Sequence, residues 1–395
     1  MAEFVVEPRL KGFICTTAHP VGCREVVREL VARAKRNSFA GPKSVLVIGA
    51  STGYGLASRI AAAFGAGAAT CGVSFERPAE GERTASAGWY NTAAVEHFAG
   101  EEGLLVRSVN GDAFSAEIKN KTIELLRNDF PPVDLIIYSL ASPRRTDPAG
   151  VTHRSTLKPI GRPFSGKTVQ TDSGVVREVV LEPATEEEIA GTVAVMGGAD
   201  WLLWMEALRK ANVLAEGVRT VAYGYVGPEL TWPIYRDGTI GRAKGDLEAT
   251  VAQIDRLLAA IGGRALISIN KAVVTQASAA IPVVPLYISL LFKLMKELHS
   301  HEDCMDQMLR LFRERLYCRG PLPEGAVDGS GRIRLDEREL DPALQRKISD
   351  RWPSVSTDNL LELTDFSGYR SDFLRLFGFG VDGVDYGRAA RVDVC

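Results

Sequence analysis

From residue 42 onward, short runs of apolar and β-branched residues alternate with longer stretches whose apolar positions recur at helical spacing. That alternation is the signature of a parallel sheet covered by helices. Residues 43–49, Lys-Ser-Val-Leu-Val-Ile-Gly, are apolar almost throughout, as a strand buried on both faces must be. After a glycine turn, residues 56–64 read as an Ala-rich helix. The same pattern predicts strands at 69–75, 104–108, 133–140, 219–225 and 264–270, with helices at 186–211 and 244–261. Two segments break the rhythm. Residues 166–182 read as a hairpin turning at Asp172-Ser173-Gly174, inserted after the fourth strand. Residues 302–316 form an amphipathic helix, followed at 320–334 by a Gly/Pro-rich loop with room for a short hairpin. Leu286, Leu290, Leu291, Leu294 and Met295 recur at helical spacing and read first as a core helix.

Composition narrows the possibilities. The 395 residues carry 47 Lys and Arg against 49 Asp and Glu, a net charge of −2, so no basic field covers the surface and a general grip on nucleic acid is excluded. The most apolar stretch, 281–292, falls short of the roughly 20 residues a bilayer requires. Residues 1–22 show neither a secretory signal nor a transit peptide, and a cytoplasmic protein is expected. The six cysteines are scattered without C-x-x-C spacing, which suggests packed thiols rather than disulfides or a zinc ribbon. His299, His301 and Cys304 have irregular spacing and no evident fourth ligand, so no metal site is expected. No low-complexity linker or fixed repeat divides the chain, and one enlarged domain over 1–395 is favoured.

The informative element is Gly49-Ala50-Ser51-Thr52-Gly53-Tyr54-Gly55, between a strand and a helix. Glycines there let the backbone approach a pyrophosphate, whose charge the helix N-terminus stabilises. The G-x-x-x-G-x-G spacing resembles that of short-chain reductases more than the G-x-G-x-x-G of other dinucleotide folds. Glu76, preceded by Phe75, ends the next strand about 20 residues on, where a carboxylate accepts the adenosine ribose hydroxyls. Its charge would repel a 2′-phosphate and so favours NADH, although Arg77 beside it leaves the choice over NADPH open. Asp112 and Ala113 follow the third strand, on the adenine side. Leu140 and Ala141 end the fourth, beside the nicotinamide ribose. The fold expected is a doubly wound, Rossmann-like α/β sheet: 43–150 as its first nucleotide-binding half, 151–300 with the hairpin and candidate catalytic tyrosines, and 301–395 as C-terminal helices.

Tyr235 and Lys244 are separated by eight residues in Tyr-Arg-Asp-Gly-Thr-Ile-Gly-Arg-Ala-Lys. A lysine can ease proton release from a phenol and hold a ribose. Most such pairs are nevertheless one packed ring and one solvated charge.

The glycine loop through Arg59, together with Ala87-Gly-Trp-Tyr-Asn91, Asn110-Gly-Asp-Ala-Phe114, Tyr138-Ser-Leu-Ala-Ser-Pro143, Val195-Met-Gly-Gly198 and the Tyr235–Lys244 spacing, resembles the FabV-type enoyl-acyl-carrier-protein reductase and trans-2-enoyl-CoA reductase family. The likeness runs almost end to end, through Lys271-Ala-Val-Val-Thr275, Thr364-Asp-Phe-Ser-Gly-Tyr369 and Phe373-Leu-Arg-Leu-Phe-Gly-Phe379. It implies an enlarged short-chain reductase fold, usually monomeric and metal-free. NADH would deliver hydride to C3 of a trans-2-enoyl thioester, with Tyr235 as proton donor, Lys244 on the cofactor ribose and assisting the tyrosine, and Tyr225 on the thioester carbonyl. Val273, Val274 and Thr275 would contact the nicotinamide side. The 281–295 helix and the 227–235 loop would border the acyl pocket. The carrier would be CoA or the acidic acyl-carrier protein, with Arg144-Arg145 as a local basic patch. A carbonyl reductase using the same Tyr/Lys pair is the alternative, and a redox sensor that binds NADH without turnover is a third reading.

Overall fold

The computed structural model describes residues 3–318 and 326–393. Its centre is a seven-stranded parallel sheet: β1 (Ser44–Ile48), β2 (Ala69–Ser74), β3 (Val106–Asn110), β4 (Val133–Tyr138), β5 (Leu214–Gly224), β6 (Arg264–Ile269) and β7 (Ile333–Arg334), in spatial order 7-6-5-4-1-2-3. The order reverses between β1 and β4. Open sheets of this kind bind ligands in the crevice at the carboxyl ends of the strands where the order reverses.

Helices α1 (Pro20–Arg36), α2 (Gly53–Ile60) and α3 (Ala87–Glu101) cover one face, packing Val27, Leu56 and Val95 onto Val45, Val47 and Ile137. Helices α4 (Ala116–Asp129), α5 (Glu186–Met196), α6 (Ala199–Lys210) and α7 (Thr239–Leu258) follow; α4, α6 and α7 press Leu126, Trp204 and Ile254 onto Leu46, Ile48 and Ile136 on the opposite face. Neighbours in β1 thus point to opposite sides, which explains why its sequence is apolar at every position. A third buried cluster gathers α8 (Val284–Glu297), α10 (Pro342–Arg351) and α11 (Phe366–Arg375) around Tyr287, Tyr369 and Phe373, while α9 (Cys304–Arg310) joins the first face through Met305 and Met308. Leu286, Leu290, Leu291, Leu294 and Met295 are enclosed, as the periodicity of α8 predicts. Truncating one such residue to alanine typically costs about 2–5 kcal/mol. Among the described residues, no helix is long and apolar enough to cross a membrane.

The helix expected over 186–211 is two helices. Gly197 and Gly198 break it because α7 passes so close: a Cβ on Gly198 would lie 2.0 Å from Thr250 Oγ1, and its N–H donates to Asp246 Oδ2 at 2.9 Å. The third strand runs two residues later than expected, and the expected 302–316 helix ends in a π-helical turn, Leu311–Leu316. The hairpin forms from Phe164–Val169 and Val176–Leu181. Of the loop expected at 320–334, residues 320–325 lie outside the described residues. Beyond them Val327 bridges Ile333, and Ile333–Arg334 adds β7 to the edge of the sheet.

Candidate active site

The glycine loop occupies the reversal point. Gly49 has φ +86°, and a Cβ there would lie 2.1 Å from Ser139 O, so β1 and β4 approach too closely for any side chain. A Cβ on Gly55 would lie 1.8 Å from Gly49 O. The loop therefore folds back on the first turn of α2, whose N-cap Thr52 makes no side-chain cap and leaves the helix N–H groups to a ligand. This is a cradle shaped for a pyrophosphate, and the residues fit NADH.

Glu76 is held ready at the end of β2. Ser51 Oγ donates to its Oε1 at 2.5 Å and Ser86 Oγ to its Oε2, while Asn110 Oδ1 accepts its backbone N–H at 2.7 Å. A Cβ on Gly88 would sit 2.1 Å from Oε1, so the glycine of Ala87-Gly-Trp-Tyr-Asn91 makes room for the carboxylate. Asn91 of the same motif donates to Ser51 O and braces the loop. Phe75 beside it is 73% exposed. Across β3, Ala113 O accepts from both Lys119 Nζ (3.0 Å) and Trp204 Nε1 (3.1 Å), and Lys119 pairs with buried Asp200 at 2.8 Å, fixing the Asp112–Ala113 turn. Leu140 and Ala141 leave β4 directly beside Gly49. Thr275 caps the short helix Gln276–Ala279, and its Cγ2 comes within 3.4 Å of where a Gly53 Cβ would be, so Val273–Thr275 borders the same loop.

The tyrosines converge at the ends of β5 and β6. Tyr225 and Tyr235 meet edge to face, ring centroids 4.7 Å apart. Tyr235 lies in a turn folded against the start of α7, a closeness that only glycine permits: Cβ atoms on Gly238 and Gly241 would strike the carbonyls of Ile234 and Arg236. Lys244 follows one turn into the helix. Its Nζ donates to Tyr223 O at 3.0 Å, and burial lowers its pKa to about 8. Burial above all pushes the Tyr235 phenol upward.

Glu339, which sequence reasoning passed over, completes the cluster. It is fully buried, with Oε1 2.8 Å from the Tyr225 hydroxyl and 2.7 Å from the Tyr287 hydroxyl, and with Oε2 accepting from the Ala272 N–H at 2.7 Å. It stands in Arg334-Leu-Asp-Glu-Arg-Glu339, a charge run that reads as a solvated face, and no local signal separates it from its neighbours. One other expectation changes. Arg145 is buried, donating to Ala194 O, so only Arg144 of the expected basic pair is exposed. His301 packs on Phe292 while Glu302 pairs with Arg310 and Asp303 with Arg33, which turns the 299–304 segment toward separate partners.

Residues 83–317 match the family described as the trans-2-enoyl-CoA reductase catalytic region, 5–81 the NAD(P)H binding domain of trans-2-enoyl-CoA reductase, and 327–389 the enoyl reductase FAD binding domain. The chain is 56% identical over 385 residues to the enoyl-acyl-carrier-protein reductase (NADH) of Opitutus terrae, covering 97% of each. It is 54% identical over 392 residues to the trans-2-enoyl-CoA reductase (NADH) of Ruminiclostridium cellulolyticum, covering 99% and 98%. It superposes on the crystal structure of Clostridium acetobutulicum trans-2-enoyl-CoA reductase in complex with NADH with a TM-score of 0.95 at 40% identity, covering 98% of each chain. On the Treponema denticola trans-2-enoyl-CoA reductase in complex with NAD the TM-score is 0.94 at 47% identity, covering 99% and 98%. A flavin does not fit residues 327–389: β7 runs into Leu335–Asp341 with no glycine turn, and Leu344, Ile348, Phe366, Tyr369 and Phe373 are packed in the core.

Proposed function

The chain belongs to the family of NADH-dependent enoyl-acyl-carrier-protein and trans-2-enoyl-CoA reductases, and on that premise we propose how its side chains divide the work. The reaction is the NADH-dependent reduction of the trans-2 C=C bond of an enoyl thioester to the saturated acyl thioester. Bound NADH supplies the hydride that C3 receives.

Hydride arriving at C3 drives electrons toward the thioester oxygen, so a fixed donor at that oxygen stabilises the transition state more than the ground state. We assign that donor to Tyr225. Tyr235 then protonates C2 of the enolate. A phenol raised by burial stays protonated at neutral pH, which suits an acid and not a base. Lys244, with one N–H on Tyr223 O, has two left for ribose hydroxyls. Its influence on Tyr235 runs through the cofactor it holds. Gly49, Ala50, Ser51, Thr52, Gly53 and Tyr54 take the pyrophosphate, Phe75, Glu76, Asp112 and Ala113 the adenosine, and Leu140, Ala141 and Val273–Thr275 the nicotinamide half.

The observation that supports this reading best is the pair of phenols meeting edge to face where β5 ends, beside the mouth of the dinucleotide crevice. The carbonyl-reductase alternative gains nothing comparable. Either carrier presents the same thioester, and we propose that both are accepted, by a monomer in the cytoplasm whose single chain, 1–395, builds one catalytic unit. Crotonyl-CoA should stimulate NADH oxidation, and Tyr235→Phe should nearly abolish it while NADH still binds. A fully active Tyr235→Phe enzyme would remove Tyr235 from its role.

A further inference from the structure

The contact between Tyr225 and Glu339 poses a problem of proton accounting. A phenol has one proton. If Tyr225 spends it on Glu339, at 2.8 Å, it has none to offer a thioester oxygen. The neighbouring contacts restrict the solutions. Gln345 Nε2 donates to Tyr287 Oη at 3.2 Å and is itself fixed by Glu339 O at 2.7 Å, so Tyr287 serves as donor to Glu339 Oε1. Oε2 is occupied by the Ala272 N–H. The Tyr225 contact with Glu339 can run in either direction, and the Tyr287 hydroxyl beside it is a second acceptor that competes for the Tyr225 proton.

We propose that Glu339 is a positioning residue that acts through Tyr225, carrying a proton on Oε1 and donating it to the Tyr225 hydroxyl oxygen, so that the Tyr225 proton points at the thioester oxygen. This rests on the reading of Tyr225 given above. A neutral acid here solves two difficulties together. It frees the phenol proton, and it removes a buried negative charge that would repel the enolate forming one side chain away. Burial of Glu339 away from water acts in the same direction, raising its pKa, while the Lys271 ammonium and the Ala272 N–H act against it. The other groups facing the carboxyl are Tyr225, Tyr287 and, one ring further, Tyr235. The same side chain also fixes the backbone at Ala272, next to Val273–Thr275, so the C-terminal region reaches both the substrate donor and the segment bordering the glycine loop.

The test is a double-mutant cycle on the full-length enzyme with crotonyl-CoA and NADH, using Tyr225→Phe, Glu339→Ala, Glu339→Gln and the Tyr225→Phe pairs. Glutamine keeps a neutral N–H donor toward Tyr225 with its carbonyl oxygen on the Ala272 N–H, and the Tyr287 hydroxyl then turns its own proton to another acceptor. Glu339→Ala should lower kcat by at least tenfold with the NADH Kd changed less than threefold, and Glu339→Gln should recover most of that loss. In the Tyr225→Phe background the effect of either Glu339 change should shrink to under threefold. An equal loss in both backgrounds, or a glutamine variant as impaired as the alanine one, would overturn the proposal for Glu339. If Glu339→Ala does not fold, comparing Glu339→Gln in the two backgrounds still decides it: a glutamine variant impaired tenfold beside intact Tyr225 overturns it. A Tyr225→Phe enzyme with full activity would instead overturn the role of Tyr225, a separate failure.

Discussion

Tyr225 and Tyr235 lie with ring centroids 4.7 Å apart and planes at 90°, one at the end of β5 and the other in the turn that leads into α7. Edge-to-face packing fixes both hydroxyls without either bonding the other. The two can therefore carry different tasks. Tyr225→Phe keeps the ring contact and deletes only the donor, so kcat should fall about 100- to 1,000-fold, the range for loss of one oxyanion donor. Steady-state kinetics beside an NADH titration checks this; a fall in cofactor affinity in place of kcat would contradict it.

Lys244 sets an alkaline limit. Its pKa is lowered to about 8, so the ammonium is the main form below that pH and is lost as pH rises through it. Activity in the free enzyme, read as kcat/KM for NADH, should decline above about pH 8. Lys244→Met should be slow at every pH and lack that limb. A wild-type profile flat to pH 10 would show that the charge is not used.

Glu76 is predicted to favour NADH over NADPH. Both its oxygens are held by serine hydroxyls, so the carboxylate is presented without rearrangement. Glu76→Ala should raise the KM for NADH about tenfold or more, the equivalent of about 1.4 kcal/mol or more for a lost charged hydrogen bond. It should also shift the NADPH-to-NADH ratio of kcat/KM toward NADPH, because the repulsion of a 2′-phosphate is gone. An unchanged ratio would mean that Arg77 and the loop after it set the preference.

The sequence pattern made the first half of the sheet legible, and the reason is physical. β1 is apolar at every position because helices cover both its faces, and Gly49 and Gly55 are glycines because neighbouring carbonyls leave no room for a Cβ. The position of Glu76 after the second strand was legible too, although its bracing by Ser51 and Ser86 was not. Tyr235 and Lys244 gained meaning only through the family resemblance, since spacing alone does not show that Gly238 and Gly241 fold the tyrosine turn onto the helix. Glu339 was invisible. Its role depends on α8 bringing Tyr287 to it and on the segment after β6 bringing Ala272, contacts 52 and 67 residues away along the chain. The break at Gly197-Gly198 was hidden likewise, because it answers to Thr250 and Asp246 on another helix.

Acid should weaken the fold through two histidines. Burial, with Lys271 and Lys296 nearby, lowers His301 to about 3, and burial lowers His19 as well. Below the ordinary histidine pKa of about 6.5 the unfolded chain binds protons that the folded one refuses, so stability falls as pH drops from about 6.5, by up to about 1.4 kcal/mol per pH unit for each group. Urea unfolding at pH 7 and pH 5 should show the drop, and His301→Gln should reduce it. An identical drop in that variant would assign it to other groups.

The central claim is tested most directly by the position of the transferred atoms. With crotonyl-CoA and NADH carrying deuterium at the transferable C4 position, mass spectrometry and NMR of the product should find butyryl-CoA with one deuterium at C3 and a solvent proton at C2. Deuterium at C2, a hydroxylated product, or no crotonyl-dependent oxidation of NADH would contradict it.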